Sequence, residues 1–384
     1  MNARSRKAAR ADGPGSMPWA RHALALVLDR VAVTAAEVGE RFPLYADPES
    51  GRWTTTSRGS WAGGFWAGLR WLRALHSGDV RDQAEAAECT GRLAGWLGVD
   101  TAARGLIFWY GTALGAGPGG DPAAVGLRDR AARVCLEDAF DAVLGIVPWG
   151  AAFGGPRLVA RVDGAAGMVP LLSTAGTAEG RRAARSHLDR HLALCLGAEP
   201  LRPAWEWTAN GRWVGCSRPA PGWRRGRAWL LLALADAARY LEDRAYVQVA
   251  REVLGRDGGM TDEIVPLAAQ VTGHQSALFG DQLTSRGPMD TSAAAIEAVA
   301  LLKLAAAVTA SEAEGLRGRA TTILEHLVTA HLTAPGAGRP PGMLLHGCYD
   351  LDQGIAVRHE LVWGDFFLAL GLALVTGLVD TDDV

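Results

Sequence analysis

The chain predicts an all-α fold, and within that class a closed helical toroid, an (α/α) barrel. Three observations predict it. About a dozen segments carry apolar residues at helical spacing, with little strand signal between them. Short turns alternate with longer Gly- and Trp-rich loops, as when helices pack on helices in pairs. No strict repeat of solenoid type is visible, so a closed ring fits better than an open stack.

Residues 19–38 hold apolar positions at helical spacing and form the first helix. Residues 41–59 are rich in turn formers and read as an irregular connector. Ser60 then caps a helix in which Trp61, Phe65, Gly68 and Leu72 share one face and Trp66 lies on another. Helical spacing continues over 80–97, 103–114, 124–144, 164–173 and 179–196. Residues 201–222 form a loop with short strand signals, and Asn210-Gly211 marks a hairpin turn. Helices resume at 223–241, 244–254, 291–309, 311–332 and 363–375.

Residues 1–16 are basic, carry Gly and Pro, and read as a disordered leader. No Pro/Ser-rich linker divides the remainder, so 17–384 reads as a single barrel domain. The leader lacks the apolar core of a secretory signal, so the protein is expected in the cytoplasm. No uncharged run approaches the ~20 residues that cross a bilayer, so no membrane partner is expected.

The net charge of -2 and the lack of a basic tract interleaved with aromatics argue against nucleic acid. The five cysteines are scattered without a Cys-x-x-Cys pair, so neither a disulfide framework nor a zinc site is indicated. His187 and His191 stand at i,i+4 but have no Glu between them in the metalloprotease position; they read as solvated positions on a helix. No metal and no cofactor are expected. Fourteen tryptophans and 48 glycines point to helices joined by Gly-rich loops with rings lining a cavity. The partner of such a cavity is a small molecule or an oligosaccharide, and the protein is expected as a monomer or homodimer.

The stretch 149–172 turns on Asp163. Residues 157–162 are short, branched and partly alternating, as in an extended segment, and 164–172 are small and apolar, as in a buried helix. Two readings of Asp163 stand open. It can cap the helix through a free first-turn N–H. It can also be a carboxylate among apolar neighbours, whose raised pKa lets it hold and deliver a proton.

Five segments in order resemble the unsaturated glucuronyl hydrolases, glycoside hydrolase family 88, with family 105 beside them. Ser60-Trp-Ala-Gly-Gly-Phe-Trp-Ala-Gly-Leu-Arg-Trp-Leu72 is similar to that family's Trp-x-x-Gly-Phe-Trp-x-Gly-x-x-Trp-Leu helix. Trp149-Gly150 precedes Asp163 at the family's spacing. Trp223-Arg-Arg-Gly-Arg-Ala-Trp229 is close to Trp-x-Arg-Gly-Gln-Ala-Trp, and Asp290-Thr-Ser-Ala-Ala-Ala-Ile296 to Asp-Ser-Ser-Ala-x-Ala-Ile. Leu345-His-Gly-Cys-Tyr349, followed by Trp363-Gly-Asp-Phe-Phe367, completes the set.

The resemblance implies an (α/α)6 barrel, a six-hairpin toroid, that hydrates the C4=C5 bond of an unsaturated uronyl sugar at the non-reducing end of an oligosaccharide. It implies Asp163 as general acid/base and no metal. It also implies Trp61 and Trp149 as stacking walls, with Arg225 and Trp229 holding polar groups of the ligand. Core packing is the competing reading for Trp61, Trp66 and Trp229, and the preferred one for Trp66. A buried Arg225 needs an anion, either Asp163 or a substrate carboxylate.

The chain departs from the pattern on the ligand-facing loops. Ala102 and Ala103 stand where a His-Asp pair would carry the second carboxylate, within Val99-Asp-Thr-Ala-Ala-Arg-Gly-Leu106. Asp100 lies three residues earlier, and Asp100-Thr101 reads as an ordinary helix cap. Trp205-Glu-Trp207 and Gly215-Cys216 occupy the His-bearing loop, Leu-Ala-Ala follows Val265-Pro266, and Arg227 replaces the Gln. Trp205 and Glu206 are therefore candidate substrate contacts. Glu206, Asp100 and Asp365 are the candidates to replace the lost acid, Asp365 reading better as a cap. The apolar residues Leu106, Trp109, Trp205 and Trp207 motivate a rival, a repurposed barrel acting as isomerase, cyclase or hydratase in secondary metabolism. A catalytically silent metabolite-binding protein is the third reading.

Overall fold

A computed structural model describes residues 17–256 and 288–384. The 1–16 leader and the departure after Val265-Pro266 lie outside the described residues. Twelve α-helices occur among the described residues. They are α1 (Pro18–Val38), α2 (Gly63–Ser77), α3 (Val80–Arg92), α4 (Tyr110–Ala116), α5 (Pro122–Val134), α6 (Met168–Ser173), α7 (Ala178–Cys195), α8 (Arg224–Tyr240), α9 (Ala245–Gly255), α10 (Thr291–Ala306), α11 (Ala310–Ala330) and α12 (Val362–Thr376).

Even-numbered helices form an inner ring. Helix α2 packs on α4, the π-helical turn Gly105–Trp109 leading into α4 packs on α6, and α6 packs on α8. Contacts of α8 with α10, α10 with α12 and α12 with α2 close the circle. Odd-numbered helices lie outside, each against the inner helix beside it. The fold is the (α/α)6 barrel.

Composition explains which helices go inside. In α10 every residue from Thr291 to Ala305 is buried, and the sequence is apolar or small almost all round. Helices α3 and α7 are buried on one stripe alone. Close approach in the ring needs small residues: a Cβ at Gly64 of α2 would meet the Ile107 carbonyl oxygen at 2.3 Å. Inside the ring Phe65, Tyr110, Trp229, Phe366 and Phe367 pack edge to face and offset, with neighbouring centroids at 5.2 Å for Phe65–Tyr110 and 5.1 Å for Phe366–Phe367. These rings fill the barrel.

Among the described residues, two small antiparallel sheets sit on the loops. The first has the order β2-β1-β7-β6, built from Phe42–Ala46 (β1), Trp53–Thr56 (β2), Gly347–Asp350 (β6) and Ile355–Leu361 (β7). Residues 41–59 are thus partly strand, a correction to the irregular connector. The alternation of Phe42, Leu44 and Ala46 against polar neighbours was diluted by Pro43 and the following turn. Tyr45 pairs with Leu361 and Ala46 with Glu360, which closes the seam between the first and last hairpins. The second sheet, β3-β4-β5, joins Val159–Arg161 (β3), Ala204–Trp207 (β4) and Trp213–Gly215 (β5), with the hairpin at Asn210-Gly211 as predicted.

Element ends shift where local geometry intervenes. The 124–144 helix stops at Val134 and passes through a π-helical turn, Cys135–Ala139. The 164–173 helix begins at Met168, after a 3-10 turn over Val162–Gly164. No helix among the described residues is long and apolar enough to cross a membrane.

Candidate active site

Asp163 does not cap a helix. It sits in the 3-10 turn between β3 and α6, and neither that turn nor α6 has a side-chain cap bond. Instead both carboxylate oxygens accept from Arg161 Nε, at 2.8 and 3.1 Å. Residues i and i+2 at a strand end point the same way, which brings this pair together. The Asp163 side chain is 9% exposed and that of Arg161 30%, so the acid is covered while the guanidinium reaches the solvent side. The turn is seated tightly: Gly167 has φ +72°, and a Cβ there would meet the Gly105 carbonyl oxygen at 2.5 Å.

Asp163 lies on the wall of a cavity of about 350 Å³. Trp61, Trp149, Trp223, Trp229 and Tyr349 supply aromatic walls, and Arg161, Arg218 and Arg225 supply cations. Trp61 Nε1 donates to Tyr349 Oη at 3.2 Å, and the two rings stack at 6.1 Å. Trp66 is buried in the core. Trp229 is fully buried yet lines the cavity floor, stacking on Phe65 at 6.1 Å. Arg161 lies over the Trp149 ring at 4.6 Å and the Trp223 ring at 5.9 Å.

The anion that holds Arg225 is Asp290, not Asp163. Arg225 Nη1 donates to Asp290 Oδ2 at 2.6 Å and to the Cys348 carbonyl, and Nη2 to the Tyr349 carbonyl at 2.8 Å. Asp290 is fully buried, and its Oδ1 accepts from Ser292 N and from Cys348 N. One carboxylate therefore caps α10 and neutralises Arg225. It also ties down the strand that carries Tyr349. Arg227, the residue in place of Gln, turns to Glu297 at 2.7 Å and does not line the cavity.

His187 and His191 are buried, not solvated. Val147 N–H donates to His187 Nδ1 at 3.1 Å, so the proton is on Nε2, which donates to the Gly164 carbonyl at 3.1 Å. One imidazole thus joins the Trp149 segment to the Asp163 turn. Burial, and then His191, holds the His187 pKa well below its ordinary value; burial likewise lowers that of His191. Their signal in the sequence was that α7 is small and apolar on the side bearing both histidines, at Ala183, Ala184 and Leu188.

None of the three acids put forward as replacements lines the cavity. Asp100 braces a loop: its Oδ2 accepts from Arg157 Nε at 2.8 Å and from Ala151 N at 3.2 Å, while Thr101 Oγ1 takes the Ala103 N–H. Glu206 and Trp205 sit on β4 and do not line the cavity, with Trp205 Nε1 donating to the Arg202 carbonyl. Asp365 is buried beside Glu360, and burial with that like charge pushes its pKa well up. It accepts from Leu344 N and does not cap its own helix, contrary to the cap reading. Ala102 and Ala103 are closed in, 2% and 0% exposed. The carboxylates that do share the cavity with Asp163 are Asp350 and Asp352, at the β6–β7 turn. Sequence reasoning missed them because the turn Asp350-Leu-Asp-Gln-Gly354 reads as an ordinary loop. No group of three or more His, Cys, Asp or Glu among the described residues could hold a metal ion.

A ring of six inner and six outer helices is the architecture of the six-hairpin (α/α)6 barrel enzymes, and here an aromatic, acid-bearing cavity opens on it. The particular relatives are unsaturated glucuronyl hydrolases. That of Bacillus sp. (strain GL1) is 25% identical over 374 residues, 88% of this chain and 93% of the relative. Its crystal structure superposes with a TM-score of 0.79 at 23% identity, covering 92% of this chain and 96% of that one. An unsaturated glucuronyl hydrolase specific for heparin gives 0.79 at 20% identity over 95% and 99%, and that of Streptococcus agalactiae 0.78 at 18% over 92% and 91%. No family model matches the chain. The resemblance carried by the five motifs is borne out, and the chain is a divergent relative of these proteins.

Proposed function

We propose that the chain is a hydrolase of the unsaturated glucuronyl hydrolase type that adds water across the C4=C5 bond of an unsaturated uronyl sugar, with Asp163 as general acid/base. The observation that carries this reading is the position of the Asp163 carboxylate. It is nearly buried, on the wall of an aromatic cavity, at the point where the motif order places the family's acid.

The chemistry follows from that placement. A protonated Asp163 delivers its proton to C4, and the ring oxygen shares the positive charge left at C5. Water then adds at C5 and gives a proton back to the Asp163 carboxylate, so one residue acts in turn and one water is consumed. The resulting hydrate opens and releases the sugar. Trp61 and Trp149 provide flat walls for the ring, and Arg225, whose two terminal nitrogens are engaged by Asp290 and two carbonyls, orders the strand of Tyr349 more than it binds ligand.

The residues that motivate the rival reading, a barrel repurposed for an apolar substrate, lie off the cavity. Leu106 and Trp109 are 0% and 2% exposed in the core, Trp207 packs on Trp213, and none of them lines the cavity. Incubation with unsaturated uronyl disaccharides should erase the ultraviolet absorbance of the conjugated double bond. A folded protein that leaves this absorbance intact overturns the proposal.

A further inference from the structure

We propose that Arg161 is the docking point for a ligand carboxylate, and that docking there displaces the Asp163 carboxylate and frees it to take up a proton. The inference deepens the hydration reading and rests on it for the identity of the carboxylate, that of a uronyl sugar.

The geometry sets Arg161 apart from the other buried-site arginine. Arg225 spends both terminal nitrogens on Asp290, Cys348 and Tyr349. Arg161 spends its Nε alone, on Asp163, and neither of its terminal nitrogens donates to another described residue. Its guanidinium lies 4.6 Å over the Trp149 ring and 5.9 Å from the Trp223 ring and lines the cavity, so the two rings guide how far and in which plane the remaining donors can move. A partly exposed guanidinium fork with free donors is the arrangement that binds a carboxylate through two parallel bonds. Exposed Arg218 adds positive charge on the same cavity.

Arg161 is also the hydrogen-bond partner of Asp163 among the described residues. The other titratable groups around Asp163 are His191 and Cys195 of α7, with Asp350, Asp352, Arg218 and Arg225 on the same cavity. Arg225 is paired with Asp290, and Arg161 is the cation hydrogen-bonded to Asp163. A ligand carboxylate that draws the guanidinium toward itself leaves Asp163 covered and without its cation. The charged form is then disfavoured, and Asp163 takes a proton from solvent. Two carboxylates share one arginine in turn, so the acid is armed when an anionic ligand is seated.

The test compares glucuronate with glucuronamide, which differ in the charged group alone, by quenching of tryptophan fluorescence in the full-length protein. The wild-type protein should favour glucuronate by at least about tenfold, the worth of a charge-assisted hydrogen bond. Arg161→Gln should abolish that preference and Arg161→Lys should keep part of it. Asp163→Asn, which removes the competing anion, should bind glucuronate several-fold more tightly than wild type. Equal wild-type affinity for the two probes, or an Asp163→Asn protein that binds glucuronate no more tightly, overturns the exchange. The hydration reading falls separately: disaccharide turnover with KM unchanged in Arg161→Gln overturns the exchange and leaves hydration standing. A glucuronate preference without turnover does the reverse. Arg161→Lys and Asp163→Asn keep the test decisive if Arg161→Gln does not fold.

Discussion

Asp290→Asn probes the pair that organises the cavity's far wall. The substitution keeps the shape and leaves Oδ1 able to accept from Ser292 N and Cys348 N, so the α10 cap survives. It removes the negative charge and sets an NH2 group against Arg225 Nη1, where Oδ2 now accepts at 2.6 Å. Arg225 is 3% exposed and Asp290 0%, so water compensates poorly for the lost anion. Removing one partner of such a pair costs about 3–5 kcal/mol. With an unfolding entropy of about 2.1 cal/mol/K per residue, a chain of this length loses about 4–6 °C in Tm. Denaturant unfolding followed by circular dichroism measures the loss, and Asp290→Ala, which also removes the cap, should lose about 1 kcal/mol more. A loss below about 1 kcal/mol for Asp290→Asn would refute the reasoning, since Arg225 would then have found another partner.

Further outcomes are expected elsewhere. Asp163→Asn should lower turnover of an unsaturated disaccharide by at least about 100-fold, read by its ultraviolet absorbance, while the protein stays folded. Gly64→Ala should cost about 1–3 kcal/mol in denaturant unfolding, because its Cβ would meet the Ile107 and Leu106 carbonyl oxygens at 2.3 and 2.5 Å. Ala103→Asp should not restore the missing acid. A carboxylate at a fully buried position costs several kcal/mol without a partner, and thermal unfolding should show it.

His187 gives a pH signature. Its folded pKa is depressed, so the unfolded chain binds the proton that the folded one refuses. The stability it contributes is present above about pH 6.5 and is lost as pH falls below it, by up to about 1.4 kcal/mol per pH unit. The raised acids Asp236 and Asp365 act in the opposite sense, so the comparison is between slopes. His187→Gln should lose close to one proton's worth of slope relative to wild type, and an unchanged slope would contradict the buried neutral imidazole.

Helix positions were legible because burial imposes a period that survives in one sequence. The hairpin at Asn210-Gly211 and the turn at Asp163 were legible because backbone geometry there demands particular residues. Pairings were much less so. Arg225 and Asp290 both lay in recognised motifs, yet their contact spans 65 positions and follows from ring closure, which no local pattern encodes. The Arg161–Asp163 pair was within reach, since a strand end places i and i+2 on one side. Local sequence does not single it out, because Arg225, in a matched motif, offers a rival cation. His187 and His191 were misplaced for a related reason: a polar residue on a helix reads as solvated unless its carbonyl and N–H partners, here from 147 and 164, can be foreseen.

The seam between β1 and β7 carries a consequence for how the chain is made. Arg30 of α1 finds its counter-ion in Glu360, 330 positions later, with Nη2 donating at 2.8 Å in a fully covered site. At ribosomal rates of about 5–20 residues per second, that separation corresponds to roughly 17–66 s of synthesis. Throughout that interval the nascent barrel is an open arc, with an unpaired edge at β1, an uncovered inner face on α2 and a guanidinium without its counter-ion. Closing the arc is therefore a late, long-range event. Aggregation during translation, more than unfolding of the finished ring, is the hazard that this topology imposes.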